Sequence, residues 1–369
     1  MTLTNYWWLL IWLFAGGGIL AMLVLKQQEL FQEKMAERWS WLVAIILIVP
    51  YIVWAGFRSN SFGDTYAYQK SFQECVSSFG ELGTYFSSLT KDKGFYLLMA
   101  FEKIIFGDSE VLYFLLLAAF QLLIVAWMCR KYSEDYWFSI FLFIASTDYV
   151  SWVFNGIRQF TAVVIVYLAT PLILKKKYIP SIILILLAST LHRSALLMIP
   201  VIFIIQGKAW NKKTILCILA SMCALIFVDQ FTNIMDSMLA ETQYVNVVSD
   251  YQSWNDDGTN PLRVLVYSIP MILSMVGLKY IRAEDNSLVN LTVGASIITS
   301  GLYIISMGTS GIFLGRLPIY VSLWSQCILL PWEINHIFTE NSARLIKIAT
   351  VFCYCVFFYY QMHFTWGIM

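Results

Sequence analysis

The sequence predicts an all-α, polytopic integral membrane protein. About 12 transmembrane helices would form a single domain over residues 1–369, with a polar cavity open to the extracytoplasmic side. Three observations predict this. The 369 residues are 59% hydrophobic and only 13% charged, with a mean hydropathy of +0.68, whereas a soluble chain carries about a quarter charged residues. The apolar residues fall in runs, many near the roughly 20 residues that cross a bilayer. Aromatics make up 17% of the chain, and Trp and Tyr gather at the ends of those runs, as interfacial belts require.

Taken in order, the runs predict spans over 6–25, 39–57, 110–128, 136–153, 157–174, 178–191, 194–206, 213–228, 262–279, 287–306, 311–330 and 345–362. An amphipathic stretch from Phe95 to Phe106 reads as an interfacial or re-entrant helix. The first run follows six residues without Lys or Arg and has no clear cleavage site, so it is expected to be retained. A net charge of +1 argues against a nucleic-acid partner. Of seven cysteines only Cys75 falls in an expected outer loop, so neither a disulfide framework nor a metal site follows. Cys353 and Cys355 read as small packing residues.

The positive-inside rule orients the helices. With the N-terminus outside, the inner loops 26–38, 129–135, 175–177, 207–212, 280–286 and 331–344 all carry Lys or Arg. The outer stretch 229–261 carries six acids and neither basic residue. Both termini then face the periplasm or exterior. The run 178–206 is broken only at Leu191-His192-Arg193-Ser194. Reading it as two short helices keeps both lysine clusters inside and places His192 and Arg193 in a shallow outer cavity, where broken helices are tolerated.

This topology leaves Arg58, Arg158, Arg193, Arg263 and Arg316 at outer helix ends, against the loop bias. A guanidinium is always charged and presents a planar fork suited to phosphate oxygens. Five of them from separate helices could clamp a pyrophosphate; the plainer reading is that each snorkels to lipid headgroups or pairs with an acid. The outer loop at about 58–94 opens Arg58-Ser-Asn-Ser-Phe-Gly-Asp64-Thr-Tyr66-Ala-Tyr68. It offers a carboxylate that could orient or deprotonate a hydroxyl and rings that could stack on sugars, though Asp-Thr is also good helix-capping chemistry. His192, at the helix break, is the leading candidate base because its ordinary pKa lies near 6.5; its bland role is a hydrogen bond at the break. No metal spacing or phosphate-binding glycine loop is present, and no cofactor is expected.

Four segments in order resemble the EpsG-like family of Wzy-type polysaccharide polymerases. They are Phe57-Arg58…Asp64-Thr…Tyr68, Lys91-Asp-Lys-Gly-Phe-Tyr-Leu-Leu98, Ile157-Arg158-Gln159 and Leu191-His192-Arg-Ser-Ala195. Lys93 departs from the residue common there, and in the C-terminal half only Gly315-Arg316…Tyr320 resembles the family. The resemblance implies transfer of a glycan from an undecaprenyl-diphosphate donor onto a second lipid-linked repeat, at the outer face of a bacterial inner (cytoplasmic) membrane. The product would be O-antigen, capsule or exopolysaccharide, with a chain-length regulator as partner. On this reading Arg58, Arg158, Arg193 and Arg316 bind the donor pyrophosphate, and His192 or Asp64 is the base. Tyr66, Tyr68 and Gln159 contact sugar. Two other readings stand beside it: a flippase of lipid-linked oligosaccharide, and a membrane acyltransferase using His192.

Overall fold

The computed structural model describes residues 6–23, 27–31, 34–60, 62–239 and 258–367, which are almost wholly helical. Among the described residues three helices are long and apolar enough to cross a membrane: Glu110–Tyr132, Ser287–Met307 and Glu340–Thr365. The number rises to six if three sharply bent helix pairs each make one span, and five further apolar helices are shorter. Helix length and composition alone therefore do not supply a dozen spans, because several apolar runs are interrupted. The run expected over 136–153 breaks after Ala145 and bends by 68° into Tyr149–Asn155. Thr147 at this break takes φ 66, an uncommon conformation for a β-branched residue. The run expected over 311–330 splits into Leu314–Arg316, Ile319–Leu323 and Trp324–Leu329. Of the second expected outer loop, residues 240–257 lie outside the described residues. Its beginning is helical, turning 105° from Lys212–Ile226 into Val228–Leu239.

The chain divides into two compact units, residues 1–197 with 344–369, and residues 198–343. In the first, buried tyrosine hydroxyls donate to main-chain carbonyls of neighbouring helices: Tyr51 to Leu9 (2.6 Å), Tyr149 to Tyr51 (2.6 Å) and Tyr136 to Ala44 (2.8 Å). A buried hydroxyl is costly unless bonded, so each of these bonds favours one packing. The amphipathic helix expected from Phe95 is present as Lys93–Phe106. An unexpected antiparallel hairpin, Gln27–Phe31 with Lys34–Arg38, forms within the expected inner loop 26–38. Its Glu29 takes a bidentate ion pair from Arg130 at 2.5 and 2.6 Å, and Arg38 donates to Ser133 O. Asp135 pairs with Lys347. Three segments expected on one side of the membrane thus contact one another.

In the second unit Ser287–Met307 is buried on nearly every face. Val289, Val293 and Ile297 pack with Ala209, Ile281, Leu329 and Trp332. Small residues permit this closeness: a Cβ at Gly294 would lie 3.0 Å from the Ile205 backbone, and one at Gly301 2.6 Å from Ser221 Oγ.

Candidate active site

Four helix ends of the first unit meet at one place. Asp92 precedes Lys93–Phe106 in the left-handed region, φ 48. Its carboxylate accepts from Arg158 Nη1 at 2.7 Å, at the start of Ile157–Leu168, and from the Arg193 amide at the break after Tyr178–Leu191. The Asp92 side chain is 5% exposed and that of Arg158 25%. Burial pushes the Asp92 carboxyl upward, while Arg158, Lys91 and the Arg193 amide draw it down. Arg158 Nε donates to the Tyr68 hydroxyl at 3.3 Å, and its guanidinium carbon lies 6.0 Å from the ring centres of Tyr68 and Tyr96. Two of its three nitrogens are therefore held. Among the described residues Nη2 has no hydrogen-bond partner, so one prong of the fork stays open.

Asp64 stands at the start of Thr65–Gln73 but does not cap it with its side chain. The carboxylate is exposed, without a hydrogen-bond partner among the described residues, and close enough to Tyr68 to act on it electrostatically. Its position is set from the backbone: the Asp64 amide donates to Asn155 Oδ1 at 3.1 Å. Gly63 before it takes φ 53, and a Cβ there would lie 2.7 Å from the same oxygen, so only glycine fits.

His192 ends Tyr178–Leu191 in an extended conformation, with Nδ1 2.6 Å from Ser194 Oγ. It is half-buried and the adjoining Arg193 side chain is exposed. Tyr66 is exposed, Tyr68 is buried in the cluster, and Gln159 is buried one residue after Arg158.

Arg58 is placed differently from the donor contact expected of it. It is buried, donates to Ala55 O (2.5 Å), Val153 O (2.8 Å) and Phe154 O (3.4 Å), and lies 4.5 Å from the ring centres of both Phe114 and Phe154. It braces the end of Trp41–Gly56 against the bent segment that leads to Asn155 and Arg158. Arg316 belongs to the second unit, in the turn Leu314–Arg316. The preceding Gly315 packs on Thr259, to which Ser306 Oγ donates at 2.8 Å, and Arg263 lies 5.4 Å from the Tyr267 ring centre.

Sequence reasoning overlooked two residues. Asp92 lies within the segment Lys91–Leu98, between two lysines, and Asn155 lies three residues before Arg158. The acid flanked by cations was the available signal. Lys103 also fixes the loop, donating to Phe72 O and Gln73 O at 2.8 Å each and pairing with Asp108 at 3.2 Å. Among the described residues no group of His, Cys, Asp and Glu is arranged to hold a metal.

No curated protein and no solved structure matches the chain. The EpsG family profile matches residues 41–366, a span that contains every segment of the cluster. The chain belongs to the EpsG family, a family of Wzy-like polysaccharide polymerases.

Proposed function

We propose that the protein polymerises undecaprenyl-diphosphate-linked oligosaccharide repeats at the extracytoplasmic face of the inner membrane. The observation that carries this reading is the meeting of a half-open arginine, an unpartnered carboxylate and a histidine-bearing helix break on four separate helix ends. An acceptor hydroxyl attacks the anomeric carbon of the donor sugar. The bond from that carbon to the diphosphate oxygen breaks, and the lipid diphosphate leaves with the bonding electrons. Arg158 and Arg193 meet the developing charge, which a fixed donor stabilises without reorganising. The proton of the acceptor hydroxyl goes to Asp64 or His192, with Tyr66, Tyr68 and Gln159 bearing on the sugars. Arg58 supports the site as a brace.

The outward side of the reaction rests on the basic inner loops, and the energy of transfer on the sugar–diphosphate bond. Reconstitution tests the reading. Purified protein with lipid-linked repeats alone yields polymer, whereas a flippase yields none under the same conditions. Asp64→Asn and His192→Ala each shorten the product at equal protein level. Long chains from both variants refute the assignment of the base.

A further inference from the structure

Beside the cluster runs a groove of about 420 Å³ between four helices of the first unit. Its walls are apolar: Leu98, Phe101, Leu117, Phe120, Ile165 and Leu187. One end is formed by Gly94 and Thr190, two residues from Asp92 and from His192 respectively. The helices touch there, since a Cβ on Gly94 would overlap Thr190 Oγ1. Phe101, Phe120 and Leu187 are themselves 42%, 40% and 53% exposed, so the groove opens sideways onto the apolar surface of the protein. The groove is therefore accessible from the side to an apolar ligand.

Glu102 is the one carboxyl in the lining, eight residues and so about 12 Å along the helix from Gly94. Its Oε2 is buried with no hydrogen-bond partner. Lys103, its neighbour, is directed instead to the Phe72 and Gln73 carbonyls and to Asp108. The group facing Glu102 from Glu110–Tyr132 is the Tyr113 hydroxyl, which is also buried and unpartnered. Among the described residues no cation pairs with the carboxyl. Burial pushes it up to about 8, which leaves it uncharged at neutral pH and the groove without formal charge.

We propose that this groove holds the head-proximal isoprenoid chain of the lipid carrier, with the diphosphate at Arg158 and Arg193. The identity of the chain rests on the polymerase reading above. The location rests on the apolar lining, the lateral opening and the cationic end: a diphosphate on a hydrocarbon tail has this sequence of polarity. Within the groove Glu102 is a neutral polar point that keeps its walls from closing as a wholly apolar core would.

Photolabelling tests the proposal by occupancy rather than turnover. Geranylgeranyl diphosphate carrying a diazirine on its chain is added to the purified full-length protein. The label is expected on peptides carrying Leu98, Phe101 or Leu187. Leu98→Trp, which fills the groove, lowers labelling about tenfold, equivalent to about 1.4 kcal/mol of binding, and Leu98→Met retains it. Leu187→Trp, at an exposed wall, gives the same loss if the Leu98→Trp protein does not fold. Unlabelled polyprenyl diphosphate competes and phosphatidylglycerol does not. Labelling outside the groove, unchanged labelling in both Trp variants, or equal competition by phosphatidylglycerol overturns the proposal. Groove labelling without polymer from lipid-linked repeats refutes the polymerase reading and leaves the hydrocarbon site standing. Polymer without groove labelling does the reverse.

Discussion

Breaking the Asp92–Arg158 pair separates a positioning contact from a decorative one. The pair is short, at 2.7 Å, and both side chains are largely withdrawn from solvent. Removing one partner of a buried pair typically costs about 3–5 kcal/mol, because the other charge is stranded. Arg158→Ala strands the less exposed member, although the Arg193 amide still donates to it, so the expected loss is about 3 kcal/mol. Asp92→Asn keeps the shape and leaves Arg158 bonded to Tyr68, with an expected loss of about 1–2 kcal/mol. The double variant should lose less than the sum, with a coupling of about 1–3 kcal/mol. Denaturant unfolding of all four proteins in detergent gives the cycle. Coupling within about 0.5 kcal/mol of zero refutes the argument that the ion pair holds the four helix ends. Polymer length measured on Asp92→Asn gives the second reading. If Arg158 must be aimed, chain length falls further than the stability loss accounts for, because a charge of the same type remains but its direction is released.

Other perturbations follow from the same geometry. Glu102 has its pKa raised from 4.5 to about 8 by burial, so the stability of its neutral form is complete below about 4.5 and is lost as pH rises through about 8. Between those two values each pH unit costs up to about 1.4 kcal/mol, with no further loss above about 8, and Glu102→Gln flattens this loss in a thermal-melt series from about pH 5 to about 9; an unchanged slope assigns it to another group. Arg58→Lys retains charge but cannot reproduce a planar fork shared among carbonyls between two rings, so unfolding should be easier by about 1–3 kcal/mol. Gly63→Val meets both φ 53 and the Asn155 contact, and should cost more than the roughly 1 kcal/mol expected of a left-handed backbone alone. Its polymer is expected to shorten with Asp64 displaced, measured at matched protein level.

Hydropathy made the helical nature of the chain legible, and the 3.6-residue spacing from Phe95 onward made the helix Lys93–Phe106 legible. It did not reveal the breaks. Ala145 to Tyr149 contains Ser146, Thr147 and Asp148, too short an interruption to lower a window average, yet the backbone turns there by 68°. The hairpin at 27–38 was hidden for a related reason. Gln27, Gln28, Glu29 and Lys34 have no strong strand preference, and the strands are tied down by Arg130 and by Ser133, about a hundred residues away. The site was legible as a set of motifs but not as a set of roles. Arg58 and Arg158 look alike in sequence, each beside an apolar helix end. Their fates differ because the rings of Phe114 and Phe154 close around Arg58, whereas Arg158 is half-buried between Tyr68 and Asp92.

That difference bears on what an anion site in a membrane protein needs. A cation that must receive a diphosphate has to be aimed before the ligand arrives, yet must keep a donor unspent. Arg158 meets both conditions: Tyr68 and Asp92 hold Nε and Nη1, and Nη2 remains open among the described residues. Asp92 is in turn fixed by the Arg193 amide, so the arginine's direction depends on the helix break beside His192. The break expected on grounds of loop charge therefore acquires a second physical reason. An unbroken helix from Tyr178 to Ile204 would commit the Arg193 amide to its own helix and leave Asp92 without that donor. The interruption that shortens the span is the same one that supplies an N–H to the site.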